Sequence, residues 1–345
     1  MPTIKEVLNQ PEEFKRCVER NVPYKPLSVK FKIVNRCNLR CKMCNHWRRH
    51  EEQLPAEFYY PAIKDLIEMG CRRIHFTGGE PLLYADLFSL MQFVRQCNKE
   101  MRVSMTSNGT LIDDHVAKTF AEFGLRKANI SIDSPDSSVH DVIRGVPGAF
   151  DKACAGLQSL RKYLPSRPIS INTVVSPWNY RTLSGFPKLA KEIGASGIHF
   201  TRLNIHTEEV SRFTPSQIEE YHTEILPAIF EEAKKYNIPL LKSQLDVVGE
   251  DEHHNYYKRH KCYALYSHLL INFLGIVYPC CNLMEMPMGD LHHNSIKEIW
   301  YGENYQRIRA KETLPIDPNC IDCDMLLEDN LLIDEQCFGE QQHSV

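Results

Sequence analysis

The sequence predicts an α/β protein in which a partial barrel of six βα units precedes a smaller cysteine-rich domain. Between residues 29 and 204, short β-branched runs alternate with amphipathic stretches of helical length, a pattern typical of a parallel sheet. After Ile238 this alternation stops, and six cysteines follow within 76 residues. Six units are too few for a closed eight-unit barrel, so we expect a partial (β/α)6 barrel with its chemistry at the carboxyl ends of the strands.

Six predicted strands form the sheet, and five helices lie between them. The strands are Val29–Asn35, Arg72–Thr77, Arg102–Thr106, Lys127–Ile132, Ile169–Val175 and Gly197–Leu203. The helices are Tyr59–Met69, Leu82–Cys97, Ile112–Phe123, Ala149–Tyr163 and Leu183–Ile193. A further helix should begin after Thr214, because Thr214, Pro215 and Gln217 form a capping-box pattern. We expect it to reach about Tyr236 and to bend or break at Pro227.

Length and composition fit one large domain and one small domain. The chain has 345 residues, of which 43% are hydrophobic and 25% charged, as in an ordinary globular protein. We expect an N-terminal extension at 1–28, a barrel at 29–240 and a C-terminal domain with an acidic tail at 241–345. The boundary should fall near residues 237–245.

Charge and cysteine usage exclude several classes of protein. The net charge of −3 argues against nucleic acid as the main partner. No apolar run reaches the length of a membrane span, and Met1–Gln10 is too polar for a signal peptide. Thirteen cysteines without an export signal indicate metal or redox roles in a reducing cytoplasm rather than disulfides.

The charges are unevenly distributed along the chain. Residues 1–50 contain twelve Lys or Arg and four Glu, whereas Cys320–Val345 contains seven Asp or Glu and no Lys or Arg. The basic end is either a solvated face or a docking surface for an acidic electron donor.

Three cysteines follow the first predicted strand in a C-x3-C-x2-C run, Cys37, Cys41 and Cys44. An iron–sulfur cubane usually takes four thiolates, so three leave one iron open to a small molecule. The alternative is a zinc site with His46 as the fourth ligand.

A second motif stands at the end of the second predicted strand, where residues Thr77–Pro81 have the sequence Thr-Gly-Gly-Glu-Pro. Its two glycines allow the backbone to approach a ligand closely, and its Glu can accept hydrogen bonds from an ammonium group.

Together, the cysteine run and the Gly-Gly-Glu-Pro sequence resemble the radical S-adenosylmethionine (radical SAM) superfamily. The resemblance extends over residues 29–323 and implies a TIM-like partial barrel with a [4Fe–4S] cluster and SAM as cofactors. It also implies an enzyme that splits SAM into methionine and a 5′-deoxyadenosyl radical, which takes a hydrogen from a substrate carbon.

The resemblance assigns SAM-binding residues as well. The Gly-Gly-Glu-Pro loop should hold the methionine amino group, and Ser131 and Arg144 should hold the carboxylate. The full predicted cofactor-binding set is Met43, Gly78, Gly79, Glu80, Pro81, Ser107, Asn108, Ser131, Arg144, Asn172 and Arg202. For Asn108, a simple Asn-Gly turn is the alternative, and for Asn172 and Arg202 an ordinary polar barrel rim.

The second group of cysteines resembles the auxiliary-cluster extension of radical SAM enzymes, in its twitch form or as a trimmed SPASM domain. Cys262, Cys280, Cys320 and Cys323 would complete a fully ligated second [4Fe–4S] cluster. A zinc ribbon is the alternative, because a C-x2-C pair with two separate cysteines also suits zinc. Cys337 could replace one of these ligands.

Cys281 is the candidate catalytic residue because it adjoins Cys280. It is either a spare ligand or buried thiol, or a hydrogen-atom donor placed over the substrate. The first interpretation favours a dehydrogenase and the second an epimerase.

The substrate is the least defined part of the prediction. Only 28 residues precede the first predicted strand, too few for a peptide-recognition domain, so we expect a small carbohydrate or aminocyclitol-like molecule that is oxidised at an alcohol or epimerised at carbon. The alternatives are a peptide-modifying maturase and a non-catalytic iron–sulfur electron-transfer or sensor protein. The Gly-Gly-Glu-Pro loop disfavours the last, because a sensor does not need SAM. A flavodoxin or ferredoxin is the expected reducing partner.

Overall fold

The protein is described here by a computed structural model. It describes residues 2–48, 53–203, 212–241, 257, 260–320, 323 and 327–339.

The described strands form one nine-stranded sheet in the order β6-β5-β4-β3-β2-β1-β7-β8-β9. The six barrel strands are β1 (Ser28–Val34), β2 (Arg73–Gly78), β3 (Arg102–Ser107), β4 (Leu125–Ser131), β5 (Ile169–Val175) and β6 (Ile198–Arg202). They pair in parallel in chain order, which confirms the predicted βα barrel. The remaining strands are β7 (His268–Asn272), β8 (Ile276–Tyr278) and β9 (Gly289–Asp290).

The described helices lie in three groups. Two precede the sheet, α1 (Pro2–Asn9) and α2 (Pro11–Glu19). Those of the barrel are α3 (Ala56–Glu68), α4 (Leu87–Cys97), α5 (Asp114–Glu122), α6 (Ser137–Arg144), α7 (Ala149–Tyr163), α8 (Phe186–Ile193), α9 (Pro215–Glu220) and α10 (Leu226–Tyr236). Those of the C-terminal region are α11 (Ala264–Ser267), α12 (Ile296–Tyr301), α13 (Glu303–Arg309) and α14 (Leu327–Ile333).

The helix predicted after Thr214 is confirmed together with its interruption. Thr214 Oγ1 accepts a hydrogen bond from the Gln217 backbone N–H at 3.3 Å, and Gln217 Oε1 accepts one from the Thr214 N–H at 2.9 Å. A π-helical turn at Tyr221–Ile225 separates α9 from α10, directly before Pro227. Proline lacks an N–H and crowds the preceding turn, so a widened turn accommodates it.

Sequence reasoning missed the short helix α6. Its N-cap Asp136 accepts hydrogen bonds from the N–H groups of Ser138 and Val139 at 2.8 and 3.4 Å, and it ends at Gly145 with φ +70°. This helix places Arg144 at the carboxyl end of the barrel.

Alternate residues of the strands lie in different environments. On β1, Phe31 and Ile33 are fully buried under the helices, whereas Lys30 and Lys32 are half-buried on the other face. The same alternation occurs on the neighbouring strands, where Ile74 and Val103 are buried. Because side chains alternate across a strand, the half-buried polar set marks the inner face of the barrel, called here the lumen face.

The C-terminal region continues the barrel sheet. Strand β7 pairs in parallel with β1, from Ser28 opposite His268 to Lys32 opposite Asn272. Strands β8 and β9 then add antiparallel pairs. The domain limits drawn from the sequence stay a prediction. No described helix is long and apolar enough to cross a membrane.

The core of the C-terminal region contains a fully buried arginine, Arg309. Its guanidinium donates to the carbonyl oxygens of Leu265 at 2.9 Å and Trp300 at 3.0 Å, and lies 4.5 and 4.7 Å from the ring centres of Trp300 and Tyr305. Burial lowers its pKa to about 10. Arg309 therefore ties α11, α12 and α13 together beside β7.

We predict that Arg309→Leu lowers the free energy of unfolding by about 2–4 kcal/mol, because it leaves two buried carbonyl oxygens without donors. Arg307→Leu is the matched control, since Arg307 is exposed on the same helix. The measurement is the thermal midpoint of each purified variant by circular dichroism. Equal midpoints for the two variants would contradict this role for Arg309.

Candidate functional site

The carboxyl ends of β1 to β4 bring the predicted site residues to one end of the barrel. The Cys37–Cys44 loop follows β1, Gly79 and Glu80 follow β2, and Asn108 follows β3. Parallel strands end at the same edge of a sheet, so sequence positions up to a hundred residues apart lie together there.

Backbone hydrogen bonds hold the cysteine loop from two sides. On one side, the N–H groups of Gly79 and Glu80 donate to Val34 O at 2.8 Å and Arg36 O at 3.0 Å. On the other side, the N–H groups of Arg40 and Lys42 donate to the carbonyl oxygens at the end of α6, each at 2.9 Å. The loop is therefore clamped between the end of β2 and the end of α6.

Glycines permit this clamp. A Cβ atom on Gly79 would lie 2.1 Å from Arg36 O, and one on Gly145 would lie 2.4 Å from Arg40 O. Gly78, at φ +145°, would place its Cβ 2.3 Å from Val34 O. We expected the paired glycines to let backbone approach a ligand; in the structure they let two backbone segments approach each other.

Hydrogen-bond donors face the sulfur atoms of the loop. Cys37 Sγ accepts from the Leu39 N–H at 3.5 Å and from Asn108 Nδ2 at 3.8 Å. Cys41 Sγ accepts from an Arg144 guanidinium nitrogen at 3.8 Å. Burial raises the pKa of the Cys41 thiol to about 11 and also raises that of Cys37, while these donors oppose the shift. The donors stabilise the thiolate form, which is the form that binds iron.

Apolar side chains surround the same loop. Leu39, Cys41 and Ala149 form a small buried cluster, against which Met43 and Val146 pack. Met43 thus lies beside the cysteines, as predicted for a cofactor-binding residue, although its contact with SAM stays a prediction. Both the donors and the apolar surroundings suit an iron–sulfur cluster, whose redox behaviour depends on hydrogen bonds and on solvent exclusion.

Glu80 is completely buried. Its carboxylate accepts hydrogen bonds from Ser107 Oγ at 2.8 Å, from the Asn108 N–H at 2.7 Å and from the Leu82 N–H at 3.2 Å. Burial raises its pKa, and these three donors oppose that shift. In the structure Glu80 joins the end of β2 to the end of β3, and Asn108 extends the link to Cys37. That Glu80 accepts a hydrogen bond from the ammonium group of a ligand stays a prediction.

Arg144 forms a buried ion pair with Asp133, with 2.7 Å between Arg144 Nε and Asp133 Oδ2. Asp133 also accepts from the Val174 N–H at 3.1 Å, and its own N–H donates to His140 Nδ1 at 3.1 Å. Burial lowers the pKa of His140 to about 4, so its imidazole is neutral. Sequence reasoning assigned no role to Asp133, which joins β4, β5 and α6.

The remaining predicted cofactor residues lie around this centre. Pro81 is buried at the start of a short 3-10 turn, Pro81–Leu83. Ser131 and Asn172 are paired in register on β4 and β5. The side chain of Arg202 lies outside the described residues. The SAM contacts predicted for this set stay predictions.

His46 is the fourth ligand of the alternative zinc site. Its Nδ1 atom lies 2.5 Å from Asn35 Oδ1. Among the residues that the structure describes, no three His, Cys, Asp or Glu side chains converge closely enough to hold a single metal ion. A cubane differs from such a site, because each of its thiolates binds a different iron.

The second group of cysteines surrounds Cys262. Burial raises the pKa of both Cys280 and Cys320; the negative charge of a Cys262 thiolate adds to both shifts, at Cys280 after that of Cys281. The Cys323 N–H donates to Cys320 O at 3.1 Å. Cys262 Sγ accepts from Asn330 Nδ2 at 3.6 Å. These thiols suit a second cluster, and their ligand roles stay predictions.

Cys281 and Cys337, which the sequence offers as alternative ligands, have different surroundings. Cys281 Sγ lies 3.9 Å from the ammonium of Lys30, so it faces the lumen side of β1. Cys337 is buried where the chain packs against α2, with Glu12 and Lys15 among its charged neighbours.

Lysine and histidine side chains on the lumen face were missed by sequence reasoning. Lys127 Nζ lies 3.2 Å from His199 Nε2, and His75 bonds to Ser104 Oγ at 2.9 Å and Thr106 Oγ1 at 3.1 Å. The alternation of polar and apolar residues in Val29–Ile33 was the available signal.

We predict that Gly79→Ala removes iron from the first cysteine site, because the new methyl group displaces the Arg36 backbone and with it the cysteine loop. The readout is iron per protein after anaerobic reconstitution. Gly185→Ala is the control, since Gly185 has φ −77° and its nearest contact would be a proline side chain at 3.0 Å. Full iron content in Gly79→Ala would show that the loop tolerates the displacement.

Two sequence families match this chain. Residues 31–186 match the radical SAM superfamily, and residues 262–324 match the SPASM family, an iron–sulfur cluster-binding domain. The first match covers the cysteine loop and the ends of β1 to β5, and the second covers Cys262, Cys280, Cys320 and Cys323. They confirm the family and the cofactor classes expected from the sequence.

Individual relatives agree with these matches. The chain is 29% identical to AdoMet-dependent heme synthase of Nitratidesulfovibrio vulgaris over 306 residues, 82% of this chain and 81% of that protein. It is 31% identical to GTP 3′,8-cyclase of Microcystis aeruginosa over 158 residues, 43% of this chain and 47% of that protein. Streptococcus suis SuiB bound to S-adenosylmethionine shares the fold, with a TM-score of 0.70 at 16% identity, covering 89% of this chain and 73% of that one. The chain is thus a member of the radical SAM superfamily with a C-terminal SPASM domain, and its cofactors are SAM and [4Fe–4S] clusters.

Proposed function

We propose that this protein is a radical SAM oxidoreductase that removes a hydrogen atom from a small molecule bound at the lumen face and then oxidises it. One observation carries the proposal: the lumen face of β1 borders both cysteine groups. The strand leads into the Cys37–Cys44 loop, and Lys30 and Lys32 contact Cys281 Sγ at 3.9 Å and Met284 Sδ at 3.4 Å.

The cofactors supply the radical chemistry when bound, in the form of a 5′-deoxyadenosyl radical from SAM. The chain itself holds and orients the cofactors and shields them from water. Cys37, Cys41 and Cys44 supply three thiolates, and the donors from Asn108 and Arg144 stabilise two of them. Ala149 and its apolar neighbours keep water away from the loop.

The second cysteine group favours oxidation. A fully ligated cluster at Cys262, Cys280, Cys320 and Cys323 has no open iron for SAM, so its natural role is to accept an electron. Strand β7, which precedes Cys280 by one short hairpin, is bonded to β1. An acceptor held there lies beside the lumen face and suits removal of the second electron from a substrate.

The carbohydrate or aminocyclitol substrate stays a prediction. The named relatives form heme and act on GTP, and both molecules carry acidic groups. An acidic small molecule is therefore the better candidate, whether or not it is a sugar derivative.

Two other functions remain as competitors. The first is a peptide-modifying maturase, and Streptococcus suis SuiB, which shares this fold, has a crystal structure bound to a precursor peptide. A non-catalytic iron–sulfur protein would not need SAM, and SAM cleavage separates it from the proposal.

A reducing partner is also part of the proposal. Arg36, Arg40, Lys42 and Arg48 are exposed in or beside the cysteine loop. This basic surface suits an acidic flavodoxin or ferredoxin, which would deliver its electron close to the cluster.

We predict that the two cysteine groups separate SAM cleavage from turnover. Under dithionite, replacement of Cys37, Cys41 and Cys44 by Ala should abolish 5′-deoxyadenosine formation and remove about half of the iron, since each cubane has four irons. Cys320→Ala with Cys323→Ala should still form 5′-deoxyadenosine but give little product.

The exposed Cys97→Ala serves as the control for both measurements. Absence of 5′-deoxyadenosine from the wild-type protein would reject the enzymatic proposal. Full product yield from the Cys320 and Cys323 variant would assign the second site a structural role only.

We predict that Cys281→Ala keeps its activity, with a ketone or aldehyde as product and no deuterium incorporated from deuterated water. Oxidation needs no hydrogen-atom donor, whereas epimerisation requires an S–H group to return one, leaving a thiyl radical for the reductant to restore. The assay uses whichever acidic or carbohydrate candidate stimulates 5′-deoxyadenosine formation. One deuterium at an inverted carbon, lost in Cys281→Ala, would establish an epimerase instead.

A further inference from the structure

A cavity of about 370 Å³ opens at the amino end of the barrel, where β4 and β5 begin and α4, α5 and α7 end. Among the described residues that line it, three are arginines and none is Asp or Glu. The arginines are Arg95, Arg126 and Arg167. The cavity is large enough for a small organic molecule, and it lies outside the site built around the cysteine loop.

Three different elements supply the arginines. Arg95 lies in the last turn of α4, and its guanidinium covers Gly124, where a Cβ atom would lie 2.5 Å from Arg95 Nη1. Arg126 is the second residue of β4, and Arg167 lies two residues before β5. The backbone of Arg167 is held by the guanidinium of Arg161, which donates to Arg167 O at 2.8 Å. The fold itself therefore gathers positive charge around this cavity.

The three guanidinium groups have few partners within the part of the chain that the structure describes. Each has five N–H donors. Arg126 Nη2 donates to Lys99 O at 3.3 Å, and the described residues offer the three groups no other acceptor and no carboxylate at ion-pair distance. Elsewhere on the surface, the exposed Arg181 reaches both carboxylate oxygens of Glu220, at 2.6 and 2.8 Å. The positive charge at the cavity is thus left for a ligand to neutralise.

The ends of the surrounding helices do not account for these charges. The carboxyl end of a helix carries about half an elementary negative charge, and an arginine near it stabilises the helix. Because α4, α5 and α7 all end here, their dipoles offset only part of three full positive charges. The contact of Arg126 with Lys99 O serves the end of α4, whereas the side chains of Arg95 and Arg167 donate to no carbonyl oxygen of the described chain.

We propose that this cavity is a second ligand site, which binds a phosphate group through Arg95, Arg126 and Arg167. The planar fork of a guanidinium matches two oxygens of a phosphate, so several arginines can bind one phosphate together. Free phosphate and a phosphate ester share this chemistry. The volume of the cavity and its partly apolar wall, which includes Leu164 and Pro165, favour an ester with an organic body.

This second site is separate from the cofactor site. Helix α7 begins at Ala149, which packs in the same cluster as Cys41, and ends at Tyr163, which lines the cavity. Its 15 residues span about 22 Å at 1.5 Å per residue. The phosphate therefore belongs to a ligand other than SAM, and the site is independent of the substrate proposed at the lumen face.

The test is isothermal titration calorimetry of the reconstituted holoenzyme with SAM at low ionic strength. Phenyl phosphate represents an ester, inorganic phosphate represents the free ion, and phenol is the uncharged control. We expect one equivalent of phenyl phosphate to bind and phenol not to bind. Arg126→Gln and Arg167→Gln should each weaken binding about tenfold through the loss of one charge-assisted contact, whereas Arg307→Gln, at an exposed position on α13, should match the wild type.

Tighter binding of phenyl phosphate assigns an ester, and equal or tighter binding of inorganic phosphate assigns the free ion. Ser166→Glu is a second variant, since Ser166 is exposed at the cavity and a carboxylate there should pair with the arginines and weaken binding as well. Circular dichroism checks that each variant is folded. No binding of either phosphate, or wild-type affinity in both arginine variants, would overturn the proposal.

Discussion

Strand β1 is the constraint on which both cysteine groups depend. It is bonded in parallel to β2 on one edge and to β7 on the other, with Ser28 opposite both Arg73 and His268. Its carboxyl end leads into the Cys37–Cys44 loop, and its lumen-side lysines contact the segment after β8. Because hydrogen bonds fix the register of all three strands, the C-terminal cysteines are held at a defined height beside the barrel. The distance between the two groups is therefore set by a sheet and not by a linker.

The buried ion pair of Asp133 and Arg144 holds the far side of the cysteine loop, as β1 holds the near side. Two buried charges cost desolvation free energy, which further hydrogen bonds must offset. Here Asp133 accepts from Val174, and Arg144 donates to Cys41 Sγ. The pair thus joins β4, β5, α6 and one sulfur atom in a single network. Removal of either partner would leave the other charge buried beside the loop, so this network is as much a part of the site as the cysteines.

The periodicity of the sequence predicted most helices and strands, but it could not predict the contacts between them. Helix α7 and strand β5 have the bounds that their patterns predicted, because α7 repeats its buried positions at helical spacing and β5 is rich in β-branched residues. Helix α6 was missed, since eight residues with a polar start give little periodic signal. The cysteine motif identified the site, but the need for Gly79 could not be read correctly from it. The steric reason lies in the Arg36 carbonyl, 43 residues earlier in the chain, and only the fold brings the two together.

The site divides into a part that is fixed and a part that can adjust. Glu80 and Asp133 are fully buried; three hydrogen bonds hold the carboxylate of Glu80, and one hydrogen bond and the ion pair with Arg144 hold that of Asp133. Lys30, Lys32 and Lys127 are only half-buried, and their side chains are long and flexible. The fixed carboxylates surround the end of the barrel where cofactors common to the whole superfamily belong. The adjustable ammonium groups lie on the lumen face, where we propose that the substrate binds. A rigid barrel end suits residues that must hold a cofactor in one geometry, and a lumen face with longer, more flexible side chains can adapt to the shape of a bound molecule.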